Sequence, residues 1–344
     1  MTKKINQLFH SNYSIIIPNY NSQTTIKRCL DSILELHQKK RFEVIVCDNM
    51  SSDSSLEIIK KYPFSLVKNE KIKNAGSTRN AGALKAKNDY IIFIDSDVCV
   101  PPNLIELIEK NKDFVSSDCI TGIFSTNNPY KDFFSQYKTL YSNFKFKNSK
   151  KNVLNSGIMV IKKEVFFELG CFNELLQHSE DDHFSLKFKQ KDYKLNFDKN
   201  LSVDHLKKFT FFSLLKNDFV KSLQLTDIFL NSLSKNMLSS IKGNFFKLYF
   251  NYILNVILII LIFSLFILNF FFSFNNFLYL FFSLIIIYFL NNSKFFVFCR
   301  KLKGILFTFK SVLFHIINLF VVSLAVLRGC LKIIKYYKKK NKND

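Results

Sequence analysis

Two carboxylates, Asp95 and Asp97, stand one residue apart at the end of an apolar run that begins at Tyr90. A short apolar run of this kind predicts a buried strand, central in a parallel sheet. Open α/β sheets bind ligands at their carboxyl edge, where these two acids would lie. Hard divalent cations take oxygen ligands, so the pair could seat a cation that carries phosphate groups. On this pattern alone, the alternative is a strand that ends in an ordinary polar loop.

Two earlier apolar runs also end in polar residues. The first runs from Ser14 to Pro18 and continues into a polar turn that contains Tyr20 and Asn21, and the second ends at Asp48. Helical patterns separate successive strands, which predicts right-handed crossovers and a mostly parallel sheet. Because such strands end at one edge, these polar ends favour a metal–nucleotide site over three unrelated loops.

A third group of acids marks the start of a later predicted helix. Ser179 is a candidate N-cap, and Glu180, Asp181 and Asp182 follow it on the positive end of the helix. Helix capping alone would account for these acids. The predicted domain closes with a strand that ends at His205.

Composition narrows the class of partner and the compartment. The chain of 344 residues carries 49 basic and 27 acidic residues, a net charge of +22, and its basic residues are scattered except for one cluster in the C-terminal tail. The predicted sheet domain therefore lacks the clustered basic face that nucleic acid requires. Seven cysteines form no CxxC pair, which argues against a zinc site or disulfide framework. Residues 1–14 have no apolar core of signal-peptide length, so we expect the sheet domain to be cytoplasmic.

The chain becomes strongly apolar after residue 208. Residues 209–248 mix aromatic, apolar and charged positions, as in helices that lie at a membrane surface. Residues 249–272 are long enough for a bilayer crossing of about 20 residues, and residues 274–291 form a second candidate after a short polar break. A buried soluble hairpin is the alternative, but these runs have no polar face. The sequence thus predicts a multi-pass membrane region.

A third candidate span covers residues 305–327, which contain Lys310, His315 and Asn318. A basic loop at Arg300–Lys303 and a basic tail at 328–344 flank it. Basic segments favour the cytosolic side, and both can be cytosolic only if this segment does not cross. The segment either spans the bilayer or lies along the interface.

Eight motifs between residues 11 and 206 together resemble those of family 2 glycosyltransferases of the GT-A fold. They are Ser14–Asn21, Val46–Asp53, Asn74–Gly82, Phe93–Asp97, Asn155–Lys163, Glu168–Glu174, Glu180–Asp181 and Val203–His205. Each is weak alone, but their order and spacing make a specific signal. The resemblance implies an α/β fold, a Rossmann-like nucleotide-diphospho-sugar transferase domain over residues 1–208 with an α-helical membrane region after it.

The resemblance also implies which residues bind the nucleotide-sugar. Pro18, Tyr20 and Asn21 would form the base pocket at the first strand–helix turn. Asp48 would accept a hydrogen bond from a base N–H group and so read the base. Arg79 resembles the family arginine that lies near the nucleotide.

The same resemblance assigns the metal site. Asp97 resembles the principal ligand of Mg²⁺ or Mn²⁺, and Asp95 resembles the residue that holds the ribose and assists at the metal. His205 resembles a late histidine that completes the metal or diphosphate site. The alternative for His205 is a surface histidine beside Asp204.

In similar inverting enzymes, the aspartate of a Glu-Asp pair acts as the base, and here that residue is Asp181, with Asp182 as the alternative register. Two positions depart from the family pattern: Cys171 replaces the second of two paired glycines, and Lys187 replaces an arginine that often follows the pair. The chain has no tryptophan, so the Gln-x-x-Arg-Trp signature of processive synthases is absent and transfer of single sugars is favoured.

The resemblance predicts a membrane-anchored inverting transferase. It would move a sugar, from a UDP-sugar by preference, to a lipid-linked or cell-surface saccharide acceptor in the assembly of envelope polysaccharide. The alternative is a catalytically silent nucleotide-sugar-binding scaffold in a membrane complex. The intact acids Asp48, Asp95, Asp97 and Asp181 argue against that alternative.

Overall fold

Eight strands form a single mixed sheet in the first of two compact units, Met1–Lys208 and Phe209–Asp344. The computed structural model describes residues 12–39, 42–70, 74–148, 154–234, 238–272 and 276–340. Residues 1–11, part of the predicted interfacial region at 235–237, the predicted break at 273–275 and the end of the basic tail at 341–344 lie outside the described residues.

The elements of the first unit follow the expected alternation of strands and helices. The strands are β1 Tyr13–Asn19, β2 Glu43–Asp48, β3 Ser65–Lys68, β4 Tyr90–Ile94, β5 Val98–Cys99, β6 Cys119–Phe124, β7 Ile158–Lys162 and β8 Leu195–His205. The helices are α1 Ile26–Lys39, α2 Ser55–Ile59, α3 Ala75–Lys85, α4 Leu104–Glu109, α5 Phe133–Asn148, α6 Lys163–Glu168 and α7 Glu180–Gln190.

The sheet has the strand order β3-β2-β1-β4-β7-β6-β8-β5. Strands β1 to β4 pair in parallel, as expected, and β6 pairs in parallel with β8. The expectation of a mostly parallel sheet is wrong for the second half, because β7 runs antiparallel to both β4 and β6, and β5 antiparallel to β8. Since Ile158 at the start of β7 pairs with Ile94 at the end of β4, the loop before β7 lies beside Asp95.

The central strands are buried on both faces, which explains their nearly continuous apolar sequence. In β1, Ile15 and Ile17 belong to one core cluster, whereas Ile16 belongs to the other. All three side chains are fully buried. The sheet therefore packs against helices on both sides, and only its edges remain for binding.

The start of α7 differs from its expected form. Ser179 takes a left-handed backbone conformation with φ of 60°, and its side chain makes no capping hydrogen bond. The prediction that the Ser179 side chain caps α7 is therefore wrong. The Ser179 carbonyl still accepts a hydrogen bond from the His183 N–H at 3.0 Å.

The second unit is helical. Its helices are α8 Phe211–Ser234, α9 Leu238–Phe272 and α10 Phe277–Lys340. A non-helical residue, Gly304, interrupts α10 with φ of 81° and ψ of −177°. The prediction that Arg300–Lys303 forms a loop is wrong, because these residues are helical. The break in the helix comes one residue later, at Gly304.

Two stretches in the described residues are long and apolar enough to cross a membrane, by length and composition alone. They are Asn251–Phe272 in α9 and Phe277–Lys332 in α10. Many of their large apolar side chains are exposed, including Phe266 at 59% and Leu290 at 69%. Exposed apolar surface of this extent needs an apolar surrounding or a partner to cover it.

Buried polar side chains link the helices of the second unit. Asn292 donates to the Asn255 side chain at 2.8 Å and shares a 3.1 Å contact with His315. Asn318 donates to Asp218 of α8 at 3.1 Å. Such pairs satisfy polar groups that apolar surroundings would leave without partners, so they stabilise helix association.

We expect Cys171→Gly to raise the free energy of unfolding. Cys171 has φ of 56°, directly after Gly170 with φ of 71°. A side chain in this left-handed region is strained, and after allowing for the greater freedom of an unfolded glycine the net gain is up to about 1 kcal/mol. Thermal unfolding of the purified chain measures it. Cys171→Ala is the matched control because it keeps the Cβ atom, and an equal gain there would assign the effect to the thiol instead.

Candidate active site

Asp48 ends β2 beside Asn19, the last residue of β1. Its carboxylate is 2% exposed and accepts hydrogen bonds from the Asn19 side chain at 2.6 Å and from the Ser51 hydroxyl and N–H at 2.6 and 3.1 Å. The acid thus holds the loop that follows β2. A carboxylate already fixed in this way is rigid, as a group that reads a nucleotide base needs to be.

The turn after β1 carries the rest of the predicted base pocket. Pro18 lies within β1, and Asn21 has φ of 46°, a conformation that asparagine tolerates better than most residues. The Asn21 N–H donates to the Ser51 hydroxyl at 3.0 Å, and its side-chain oxygen accepts from the Ser52 N–H at 2.8 Å. The Tyr20 side chain is 49% exposed. The structure therefore brings Pro18, Tyr20 and Asn21 to the same edge as Asp48.

Arg79 connects two acids from distant parts of the chain. Its Nη2 atom lies 2.5 Å from Asp95 Oδ1, and its Nη1 atom lies 2.6 Å from Glu180 Oε1. The guanidinium also lies over the Phe172 ring, 5.6 Å from the centroid. Burial opposes the charge of Arg79, but the two carboxylates outweigh it and raise its pKa above the ordinary value. The end of β4 and the start of α7 are thereby tied to α3.

Asp97 lies beside His205, whereas Asp95 lies beside Arg79. The Asp97 Oδ2 atom lies 3.4 Å from His205 Nε2, and the two side chains are 25% and 17% exposed. The ladder between β5 and β8 sets this pair, since Val98 is in register with His205. Burial tends to raise the pKa of Asp97, but His205 and Lys207 outweigh it and lower the pKa below the ordinary range. Asp97 is therefore charged at neutral pH.

An aromatic residue that sequence patterns did not single out backs this pair. Phe124, at the end of β6, stacks on the His205 ring with centroids 4.5 Å apart and an angle of 18°. A Cβ atom added at Gly157 would lie 2.7 Å from Phe124 Cζ and 3.1 Å from Asp95 Oδ2. Phe124 and Gly157 thus enclose the acids from the β7 side. No local pattern marks Phe124, because its role depends on the pairing of β6 with β8.

The side chains at this edge suit a divalent cation that also binds a diphosphate. Across the described ranges, no group of three or more His, Cys, Asp or Glu side chains is placed to hold a metal by itself. Asp97 and His205 are adjacent, whereas Asp95 Oδ1 faces Arg79. Mg²⁺ is commonly held by one or two carboxylates together with substrate phosphates and waters, so the Asp97 carboxylate fits this mode. The His205 imidazole lies beside it as a candidate nitrogen ligand.

Asp181 lies in the first turn of α7, next to the buried Glu180. Its Oδ1 atom accepts a hydrogen bond from the Asp182 N–H at 2.9 Å, and its carbonyl accepts one from the Ser185 hydroxyl at 2.8 Å. The side chain is partly exposed, so an acceptor hydroxyl can reach it. The bond from Glu180 to Arg79 brings this helix start to the acids at the end of β4.

We expect Gly157→Ala to reduce both stability and activity. The added methyl group would overlap Phe124 and press on Asp95, and overpacking of this kind costs about 1–3 kcal/mol. Thermal unfolding and release of nucleotide from a sugar donor measure the two effects. Ser156→Ala is the control, because it changes the residue directly before Gly157 without adding any atom there. Wild-type values in Gly157→Ala would show that Phe124 and Asp95 move aside without consequence.

The sequence profile of Glycosyl transferase family 2 matches residues 14–170. An uncharacterized glycosyltransferase of Haemophilus influenzae is 27% identical over 202 residues, which cover 53% of this chain and 65% of that protein. The Escherichia coli enzyme UDP-Glc:alpha-D-GlcNAc-diphosphoundecaprenol beta-1,3-glucosyltransferase WfaP is 36% identical over 128 residues, 33% of this chain and 51% of that protein. The chain thus spans between half and two thirds of the length of these relatives.

Among solved structures, the mannosyltransferase PcManGT of Pyrobaculum calidifontis, in complex with GDP-Man and Mn²⁺, superposes with a TM-score of 0.52. The match covers 65% of each chain at 16% identity, and it shows a shared fold. The expected α/β, Rossmann-like GT-A fold is confirmed. With the profile match and the relatives, the resemblance drawn from the motifs is confirmed as well: residues 14–170 form a glycosyl transferase family 2 domain.

Proposed function

We propose that the chain is an inverting glycosyltransferase that moves a sugar from a nucleotide-sugar to a saccharide or lipid-linked acceptor. One observation carries the proposal. The Asp95–Arg79–Glu180 bridge joins the acids at the end of β4 to the acid pair at the start of α7. A site for a nucleotide diphosphate and a base for the attacking hydroxyl would then lie together, as a single displacement requires.

The relatives support a UDP-sugar as the donor. WfaP is named as an enzyme that takes UDP-Glc as its donor and a diphosphoundecaprenol-linked sugar as its acceptor. If this chain uses the same classes of donor and acceptor, Asp48 would be the rigid acid that binds the uracil base, and the acceptor would be held in a membrane. The fold match to PcManGT supports the nucleotide-sugar site only through the shared fold.

In the proposed reaction, an acceptor hydroxyl oxygen attacks the anomeric carbon of the donor. The bond from that carbon to the diphosphate breaks, its electron pair leaves with the diphosphate, and Asp181 takes the hydroxyl proton. Asp97 and His205 would hold Mg²⁺ or Mn²⁺, which would supply charge neutralisation for the departing diphosphate. Asp95 and Phe124 position the groups around this cation site, and Asp48 holds the nucleobase of the donor.

We further propose that the second unit anchors the enzyme in a membrane, with the catalytic unit on the cytoplasmic side. The exposed apolar surfaces of α9 and α10 support this anchoring. A lipid-linked acceptor would then share a plane with the enzyme, which raises its effective concentration. Assembly of cell-envelope polysaccharide is the setting that we propose for this chemistry.

The test uses the full chain, purified in detergent and placed in lipid vesicles. We would offer UDP-, GDP- and dTDP-sugars with Mg²⁺ or Mn²⁺ and membrane lipid extracts, and measure released nucleotide and labelled lipid product. We expect one UDP-sugar to be consumed only when the cation and the extract are both present. Binding of UDP without consumption of any donor would instead indicate the catalytically silent scaffold.

A further inference from the structure

The Arg79 side chain is enclosed by protein groups. It is 3% exposed, and both of its terminal nitrogens face carboxylates at 2.5 and 2.6 Å. The Phe172 ring lies against the guanidinium. The Glu180 residue at the other end of one contact is 6% exposed, so its charge depends on the guanidinium. Removal of one partner from a buried ion pair is costly, so this contact is well suited to fix the position of Glu180.

The start of α7 depends on this contact. Ser179 stands at the N-cap position, but its side chain makes no capping hydrogen bond and its backbone is left-handed. The helix therefore lacks the local device that usually fixes a first turn. The ion pair from Glu180 to Arg79, 101 positions away in sequence, supplies a tertiary anchor in its place. Asp181 follows Glu180 directly, so the same anchor sets its position.

We propose that Arg79 is a positioning residue that fixes the start of α7 relative to Asp95. This inference rests on the proposed function, in which Asp181 is the general base and Asp95 lies at the donor. It goes beyond the role near the nucleotide that the family resemblance implies for Arg79. Arg79 holds Glu180 and Asp95 with separate nitrogens. The start of α7, which carries the proposed general base Asp181, therefore keeps a fixed position relative to Asp95 at the donor.

This assignment predicts a separation of turnover from donor binding. Arg79→Met removes both contacts, and Glu180→Gln weakens only the contact to α7. We expect Arg79→Met to lower kcat by about 100-fold, the loss expected for a base displaced by about 1 Å. Glu180→Gln should also lower kcat. The Kd of UDP, measured in EDTA by calorimetry, should change less than about twofold in either variant, because the contact acts on α7 and leaves the proposed nucleobase pocket around Asp48 intact.

Two comparisons make the test specific. If Arg79 and Glu180 act through one contact, the double variant should be no slower than Arg79→Met alone. Lys162→Met is the matched control, because it removes an ion pair of 2.8 Å with Asp118 from the same sheet, and Asp118 keeps its bond from the Lys194 N–H. The control should keep wild-type kcat. A rise of more than about tenfold in the Kd of UDP in Arg79→Met, with normal binding in Glu180→Gln, would overturn the proposal in favour of a nucleotide ligand.

Hydrogen exchange tests the same contact without any turnover. We expect Arg79→Met to speed exchange of the α7 amides between His183 and Gln190, and Lys162→Met to leave them unchanged. Unchanged exchange in α7 of a folded Arg79→Met protein would overturn the anchoring role. If the wild-type chain consumes no donor but α7 loosens as expected, the proposed function fails while the anchor stands. A folded Arg79→Lys protein serves if Arg79→Met does not fold, since one ammonium group cannot reproduce the two-armed contact.

Discussion

The Asp181→Asn variant is expected to lose transfer activity by about 10²- to 10⁴-fold, the contribution of a positioned general base. The amide cannot take the proton of the acceptor hydroxyl. Its oxygen can still accept the 2.9 Å hydrogen bond from the Asp182 N–H, so the helix start should keep its structure. Steady-state release of nucleotide in the presence of acceptor measures the loss, and calorimetry should show unchanged binding of UDP.

Asp182→Asn is the matched control for this variant. Both acids lie in the first turn of α7, so both substitutions remove the same charge from the positive end of the helix. A purely capping role would therefore give two equal, small effects on stability and no selective loss of turnover. If Asp182→Asn loses activity while Asp181→Asn keeps it, the base is Asp182, the other register that the sequence allows.

Local patterns were sufficient to predict the strands that carry the site. Strands β1, β2 and β4 are short apolar runs that end in polar residues, and Asp48 and Asp95 stand where such runs end. Burial on both faces requires that composition, so the pattern and the structure have the same cause. The GT-A fold could be predicted because several such runs occur in order at family-like spacing.

Long-range partners could not be predicted in this way. The contact from Arg79 to Glu180 spans 101 positions, and the stack of Phe124 on His205 depends on which strands pair. Neither is encoded by a spacing of neighbouring residues. The antiparallel course of β7 depends likewise on where the chain re-enters the sheet, yet it brings Gly157 beside Asp95. Sequence reasoning thus named Arg79, His205 and the acids of the candidate site, but it did not predict which of them pair with one another.

The helical unit shows a similar division. Apolar composition predicts long helices after residue 208, and the described helices α8, α9 and α10 are long. Composition does not predict that Asn255 and Asn292 pair, because each asparagine looks like an isolated interruption of an apolar run. Nor does it predict the exact end of the helix before Gly304, since only glycine readily takes φ of 81° and no neighbouring residue announces the break.

The Asp97→Asn variant is expected to lose the cation dependence of the reaction. Asp97 lies beside His205, and the lowered pKa of its carboxyl group keeps it ionised at neutral pH. Replacing the carboxylate with an amide removes the anionic ligand, so turnover should fall by about 100-fold or more, because a bound cation stabilises leaving-group charge by several kcal/mol. The rate of nucleotide release from the sugar donor, measured across a titration of Mn²⁺, gives the size of the effect.

Binding of UDP separates this role from a loss of structure. In EDTA, wild type and Asp97→Asn should bind UDP equally, because the substitution leaves the proposed nucleobase pocket at Asp48 and the turn after β1 unchanged. With Mn²⁺ added, wild type should bind more tightly and Asp97→Asn should not. Asp204→Asn is the control, because Asp204 adjoins His205 but its carboxylate accepts a hydrogen bond from the Ser125 hydroxyl instead. If Asp97→Asn keeps the tightening by Mn²⁺, the cation is held elsewhere and Asp97 only orients His205.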